Sequence, residues 1–182
     1  YFSFSGLLLA PLMGAAVVAK GKRLFFGYSV AIILAVLALI VVRLQSGLPA
    51  TLWVILVVIA SDVGGYFFGR ILGGPKILPR ISPKKTWSGT LGGWALAGAV
   101  AGVFVWLGYG DVRVIWLSVL LSVAAQAGDM VESAIKRHAG VKDASNLIPG
   151  HGGFLDRFDA LIGAALLLIP IWFLLGLPVG KM

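Results

Sequence analysis

Six stretches of this chain are apolar over the length that crosses a lipid bilayer, at about 2–18, 25–42, 51–68, 91–107, 114–133 and 160–177. A helix rising ~1.5 Å per residue needs roughly 20 residues to cover ~30 Å of hydrocarbon, so each stretch predicts one transmembrane helix. The first is the most interrupted, by Ser3, Ser5 and Pro11. Of the 182 residues, 59% are hydrophobic and 12% are charged, and a water-soluble domain of that size has too little interior for so much apolar surface. The expected fold is an all-α polytopic integral membrane protein with about six transmembrane helices. Cysteine is absent, which excludes disulfides and thiolate metal sites. The chain starts at Tyr1, without an initiator Met or the charged start of a signal peptide, so it is expected to be truncated at its start.

The charges set the orientation. Lys20, Lys22 and Arg23 fall in the first loop, Arg70, Lys76, Arg80, Lys84 and Lys85 in the third, and Lys136, Arg137, Lys142 and Arg157 in the fifth. The second and fourth loops carry only Arg43 and Arg113. An excess of Lys and Arg marks cytoplasmic loops, so loops one, three and five are expected to face the cytoplasm and the start of the chain the outside. The net charge of +8 then reflects loops beside anionic lipid, and no nucleic-acid partner is expected. Residues 1–50 read as N-terminal membrane helices, and 51–182 as a catalytic membrane domain with cytoplasmic loops at about 69–90 and 134–157.

The seven acidic residues are the informative minority. Asp111 sits in a short outer loop; Asp62, Asp129, Glu132, Asp143, Asp156 and Asp159 fall in or beside the cytoplasmic ends of the third, fifth and sixth segments. An ionised carboxylate at the bilayer centre costs about 2.5–3.5 kcal/mol on insertion scales, so these groups are expected to face one another across a polar cavity. In the fifth segment Gln126, Asp129, Ser133 and Lys136 recur at i, i+3, i+7 and i+10, a polar stripe on one helix face with Glu132 one step aside. The alternative for Glu132 and Lys136 is a minor solvated i,i+4 pair at a helix end.

In "SDVGGYFFG", residues 61–69, Asp62 and Tyr66 share a face, and Gly64, Gly65 and Gly69 leave room for a neighbouring helix or a ligand. Asp62 serves either a shared cavity or one interhelical hydrogen bond. In the loop that follows, Ser82, Lys84, Lys85 and Thr86 precede a helix that begins around Ser88 or Gly89. Hydroxyl and basic groups at a helix N-terminus suit an anion such as phosphate; positive charge there equally suits a loop that sets topology against anionic headgroups.

Residues 147–161, "LIPGHGGFLDRFDAL", break regular structure with Pro149, Gly150, Gly152 and Gly153, then place Asp156, Arg157 and Asp159 at the entrance of the sixth segment. A helix cap explains one Asp but not two with His151 and Arg157 beside them. Asp129 and Asp156, borne on neighbouring helices, suit Mg²⁺, which takes one or two carboxylates and completes its octahedron with water and phosphate oxygens. Zinc is disfavoured, because His138 and His151 alone are a thin ligand set.

"SAIKRHAGVKDASNLIPGHGGFLDRFD", residues 133–159, resembles the signature of the phosphatidate cytidylyltransferases, the CDP-diacylglycerol synthases, in the order and spacing of Ser133, Lys136-Arg137, Lys142-Asp143, His151-Gly152-Gly153 and Asp156-Arg157-x-Asp159. "SDVGGYFFGR", "ISPKKTWSGTLGG" and "GDMVES" are similar to the same family, so the resemblance covers roughly residues 51–175. Ser88 departs from the acidic or Gln residue often found there.

The resemblance implies transfer of a cytidylyl group from CTP to phosphatidic acid, giving CDP-diacylglycerol and pyrophosphate, with Mg²⁺ required and a second metal ion an open alternative. It implies Asp129 and Asp156 as metal ligands, with Asp159 and Glu132 in a second shell or on a second ion. Ser82, Lys84, Lys85, Lys136 and Arg157 are expected to hold phosphates. Thr86, Arg137, Ser133 and Asp62 are further candidates for substrate binding, and His151 either orients a phosphate or base or satisfies the turn. Partners are the two substrates and membrane lipid, with a homodimer left open. Two rivals remain: a related CTP-using membrane enzyme acting on another lipid (a polyprenol kinase or an ether-lipid cytidylyltransferase), and a secondary transporter. A transporter is expected to show inverted repeats and a midplane site, whereas the charges here gather at one membrane face.

Overall fold

The computed structural model describes residues 21–141 and 155–177, together with 9, 11–14, 16 and 179. Five long helices run through these residues: α1 (Lys22–Gln45), α2 (Gly47–Ile71), α3 (Trp87–Trp106), α4 (Arg113–His138) and α5 (Asp159–Leu175). A short 3-10 turn, Leu155–Arg157, leads into α5. Helix is the secondary structure this composition demands, because each amide in a hydrocarbon environment must find its partner within its own segment.

Among the described residues four helices, α1 to α4, are long and apolar enough to cross a membrane. The sixth expected segment forms α5, a shorter apolar helix of 17 residues. It carries Pro170 internally and stops at Gly176, whose φ of 64° takes the chain out of helical geometry. The first expected segment lies mostly outside the described residues.

Helices α1 to α4 run longer than the apolar stretches that announced them, because polar termini continue the hydrogen-bond ladder beyond the apolar run. The run at 114–133 becomes Arg113–His138, with Lys136, Arg137 and His138 in the last turn, where the helix dipole favours cations.

Successive helices alternate in direction, so two ends form. At one end lie the junction of α1 with α2 at Ser46, the α3–α4 turn and the C-terminus of α5, tied by a hydrogen bond from Trp172 Nε1 to Gln45 Oε1 (3.0 Å) and a bridge between Gly110 and Val179. Asp111 and Arg113 pair there in full solvent, and hydrogen bonds from Arg113 hold the Asp111 carboxyl below the usual carboxylate range. At the other end lie the N-termini of α1, α3 and α5 and the C-termini of α2 and α4. Most of the acidic and basic residues of the chain gather there.

The loop between α2 and α3, expected as irregular chain, contains a two-stranded antiparallel sheet, β1 (Lys76–Leu78) and β2 (Ser82–Thr86). Gly73 and Gly74, both at positive φ, turn the chain back on itself. Lys and Pro on the short exposed strands discourage edge-to-edge pairing with other chains.

The core lies between α2, α3, α4 and α5. Trp53, Val54 and Val57 of α2, Ala97 and Ala101 of α3, Leu121 and Ala125 of α4 and Ala164 of α5 are wholly buried. Small residues let backbones approach closely, and hydroxyls join them: Trp53 Nε1 donates to Ser118 Oγ (2.7 Å), and the Ser61 and Ser122 hydroxyls pair at 2.7 Å. Several helix contacts leave no room for a Cβ, and two of them shape the site. A Cβ on Gly64 would stand 2.6 Å from the carbonyl oxygen of Gly92, and one on Gly128 would stand 2.6 Å from that of Asp159. The first seats α2 on α3. The second brings α4 against the first turn of α5, and so the carboxylates of α4 beside that of Asp159.

Candidate active site

Where β2 enters α3, Thr86 is the N-cap and its Oγ1 accepts from Gly89 N at 3.2 Å, so the helix starts at Trp87, slightly earlier than the sequence suggests. Ser88 Oγ donates to the Gly73 carbonyl and lies 3.1 Å from Thr86 Oγ1, fastening the helix start to the preceding turn. Thus Ser88, the position that departs from the family pattern, has a structural task here.

The cap holds β2 so that Lys85 projects across to α4. Its Nζ lies 2.6 Å from Asp129 Oδ2 and donates to the Gln126 carbonyl at 3.2 Å. Asp129 is also the acceptor for Ser133 Oγ, at 3.3 Å. A cavity of about 350 Å³ opens beside this pair. Asp62, Tyr66 and Arg70 line it from α2, Lys84, Lys85 and Thr86 from β2, Thr90 from α3, and Gln126 and Asp129 from α4. Asp62 interacts electrostatically with both Asp129 and Lys85. It therefore serves the shared cavity, not a single interhelical hydrogen bond. Arg70 Nη1 donates to Tyr66 Oη at 2.5 Å, which holds the guanidinium at the cavity wall. Three cationic side chains and two carboxylates around one cavity suit a polyphosphate together with a cation.

One turn further along α4 is a second cluster. Lys136 Nζ sits 2.8 Å from Glu132 Oε2 and 2.7 Å from Asp156 Oδ1. Glu132 is only 3% exposed, which rules out the solvated helix-end pair: these charges are desolvated and depend on one another. Asp159 interacts electrostatically with Glu132 and Asp129, while its Oδ1 accepts from Ala160 N at 2.7 Å. Asp129 therefore stands between the cavity and the cluster.

Residues expected at the site separate into groups. Asp62, Lys84, Lys85, Thr86 and Asp129 line the cavity; Glu132, Lys136, Asp156 and Asp159 form the cluster; Ser133 joins through Asp129. Ser82 pairs with Leu78 across the hairpin and is not among the described residues lining the cavity. Arg137 is exposed and its Nη1 donates to the Val141 carbonyl at 3.3 Å. Arg157 is exposed on the 3-10 turn. His151, with Lys142 and Asp143, lies outside the described residues.

Arg70 is a wall residue the sequence reading left in a charge count, although it stands four residues from Tyr66 and eight from Asp62 on one face of α2. Tyr28 of α1 was missed altogether: it interacts electrostatically with Glu132, Asp159, Lys136 and Asp156, and no motif joins it to them.

The donor set was tested against Mg²⁺. Every anionic donor is a carboxylate oxygen, the hard ligand class this ion takes, and Glu132 Oε1 is buried with no hydrogen-bond partner among the described residues. In chemistry the set fits. Lysines neutralise the carboxylates here, and among the described residues no three His, Asp or Glu side chains gather about a common point as a metal cage. A site supplied largely by substrate phosphates and water needs no such cage.

The chain is 48% identical over 126 residues to a phosphatidate cytidylyltransferase of Brucella suis biovar 1 (strain 1330), covering 67% of this chain and 46% of that protein. It is 43% identical over 137 residues to one of Bacillus subtilis (strain 168), covering 73% and 49%, and 46% identical over 126 residues to one of Haemophilus influenzae, covering 65% and 43%. The chain thus spans about half the length of the curated relatives it matches. The sequence profile described as the Cytidylyltransferase family matches residues 2–175, nearly the whole length, and the chain therefore belongs to the cytidylyltransferase family.

Proposed function

We propose that this protein transfers the cytidylyl group of CTP to phosphatidic acid, forming CDP-diacylglycerol and pyrophosphate at the cytoplasmic face of a bacterial inner membrane. The observation that carries the reading is the cavity where Arg70, Lys84 and Lys85 meet Asp62 and Asp129 at one end of a bundle of membrane-length helices. The relatives' printed name supports the choice of substrates. The concentration of Lys and Arg at the same end supports the orientation.

A phosphate oxygen of phosphatidic acid attacks the α-phosphorus of CTP; a new P–O bond forms, the bond between the α-phosphorus and its bridging oxygen breaks, and pyrophosphate leaves with the electron pair. The nucleophile is already an anion and needs no general base. The demands on the protein are alignment of two polyanions and neutralisation of their charge. Lys84, Lys85 and Arg70 take the triphosphate, and Lys136 and Arg157 take charge as the reaction advances. Asp129 and Asp156, with Glu132 and Asp159 beside them, would hold Mg²⁺, which supplies further charge neutralisation at the phosphates. The acyl chains stay in lipid while the headgroup enters at the interface.

The purified full chain in detergent micelles, given CTP, phosphatidic acid and Mg²⁺, is expected to produce CDP-diacylglycerol and pyrophosphate in equal amounts. No CDP-lipid would overturn the reading.

A further inference from the structure

Residues 69–93, which join α2 to α3 through the hairpin, carry five cationic side chains and no acidic one. Lys85 pairs with Asp129 and Arg70 with the Tyr66 hydroxyl, but Lys76, Arg80 and Lys84 have no ion pair among the described residues. Apolar side chains stand among these cations. Ile71 and Leu72, where α2 ends, are 75% and 67% exposed, and Leu78 and Trp87 are exposed as well. Ser88 Oγ donates to the Gly73 carbonyl and Trp87 N to that of Pro75 at 3.1 Å, so Trp87 stands beside the turn that follows Leu72. At the far end of the hairpin Ile81 N donates to the Leu78 carbonyl at 3.1 Å and closes the turn that holds Arg80. Exposed apolar side chains along a spanning helix face lipid tails and need no further account. These sit where such a helix ends, among unpaired cations, which is the composition of an element lying in the headgroup layer of an anionic membrane. Trp is the residue type that settles at that depth.

We propose that the β1–β2 hairpin docks on anionic phospholipid, with Lys76 and Arg80 on headgroup phosphates and Ile71, Leu72, Leu78 and Trp87 in the apolar boundary beneath them. Lys84 and Lys85 of the same hairpin line the cavity, so the docked element is also a cavity wall, and an anionic lipid gathered at Lys76 and Arg80 is already at the cavity's edge. The hairpin thereby delivers the lipid substrate. Delivery rests on the cytidylyltransferase reading above; docking on anionic lipid does not.

The chain contains no cysteine, so Leu78→Cys carries a nitroxide label at one place, with Ile71→Cys as a second reporter. The full chain is placed in nanodiscs of phosphatidylcholine alone or mixed with phosphatidylglycerol. With phosphatidylglycerol present, the label is expected to collide more with oxygen, which concentrates in lipid, and about twofold less with a water-soluble nickel chelate. Adding Lys76→Gln and Arg80→Gln is expected to remove that difference. Equal accessibility in the two lipids, which a protein partner or a second copy covering the hairpin would give, would overturn the docking. In mixed micelles the double variant is expected to raise KM for phosphatidic acid about tenfold, with kcat and KM for CTP unchanged. An unchanged KM for phosphatidic acid would overturn delivery. Should the unmodified protein form no CDP-lipid, the reading of function fails and the label alone judges the docking.

Discussion

The ammonium of Lys136 sits 2.7 Å from the carboxylate of Asp156 and links the last turns of α4 to the 3-10 turn that opens α5. The same nitrogen holds buried Glu132 at 2.8 Å, so two carboxylates from two parts of the chain share one cation. Removing one partner of a buried pair leaves the other uncompensated, at about 3–5 kcal/mol. Lys136→Met strands both, and the unfolding midpoint in detergent is expected to drop by about 10 °C. A drop of only a degree or two would show that the pairing carries little of the stability.

Lys85 faces Asp129 across the cavity at 2.6 Å and is placed to meet a triphosphate. Lys85→Ala is expected to lower kcat/KM for CTP by about 10²–10³, the range seen when one donor to a developing charge is lost. Lys85→Arg is expected to rescue poorly, because a planar guanidinium does not reproduce a compact ammonium. Steady-state kinetics with varied CTP check both; full activity in the alanine variant would remove Lys85 from the phosphate site.

Gly128 sits against α5, where a Cβ would come within 2.6 Å of the Asp159 carbonyl. Gly128→Ala is expected to cost about 1–3 kcal/mol through overpacking and to lose activity, since α5 must move away with Asp159. Gly27 on α1 has nothing within 4 Å of its Cβ position, so Gly27→Ala is expected to be neutral or to stabilise by up to ~1 kcal/mol through helix propensity. Thermal unfolding of the two variants side by side checks the contrast.

Asp129→Asn and Asp156→Asn are each expected to reduce turnover at least 10³-fold while the protein stays folded in detergent. A chelator is expected to abolish turnover of the unmodified chain, and added Mg²⁺ to restore it. Near-normal activity in either variant would refute its assignment as a metal ligand.

Much of this architecture was legible in the sequence because a bilayer imposes a simple rule. Apolar runs located α1 to α5, and lysine and arginine asymmetry grouped the loops. The stripe Gln126, Asp129, Ser133 and Lys136 gave the face of α4 that meets the cavity and the charged cluster, since helical spacing is geometry. Pairing within the site was less legible. The sequence placed Asp129 and Asp156 on neighbouring helices but did not show that Lys85 stands on Asp129 and Lys136 on Asp156. Those partners are set by the hairpin and by the Gly128 contact with α5, and neither leaves a periodic trace. The hairpin itself hid behind Gly and Pro, which read as loop. Tyr28 hid because an aromatic residue in an apolar helix carries no signal until its hydroxyl is placed.

The central claim is tested most directly by following each phosphorus of CTP. With phosphatidic acid and Mg²⁺, label in the α-phosphate is expected to appear in the lipid product and label in the γ-phosphate in pyrophosphate. Label from the γ-phosphate in the lipid, with CDP released, would mark a kinase and contradict the account.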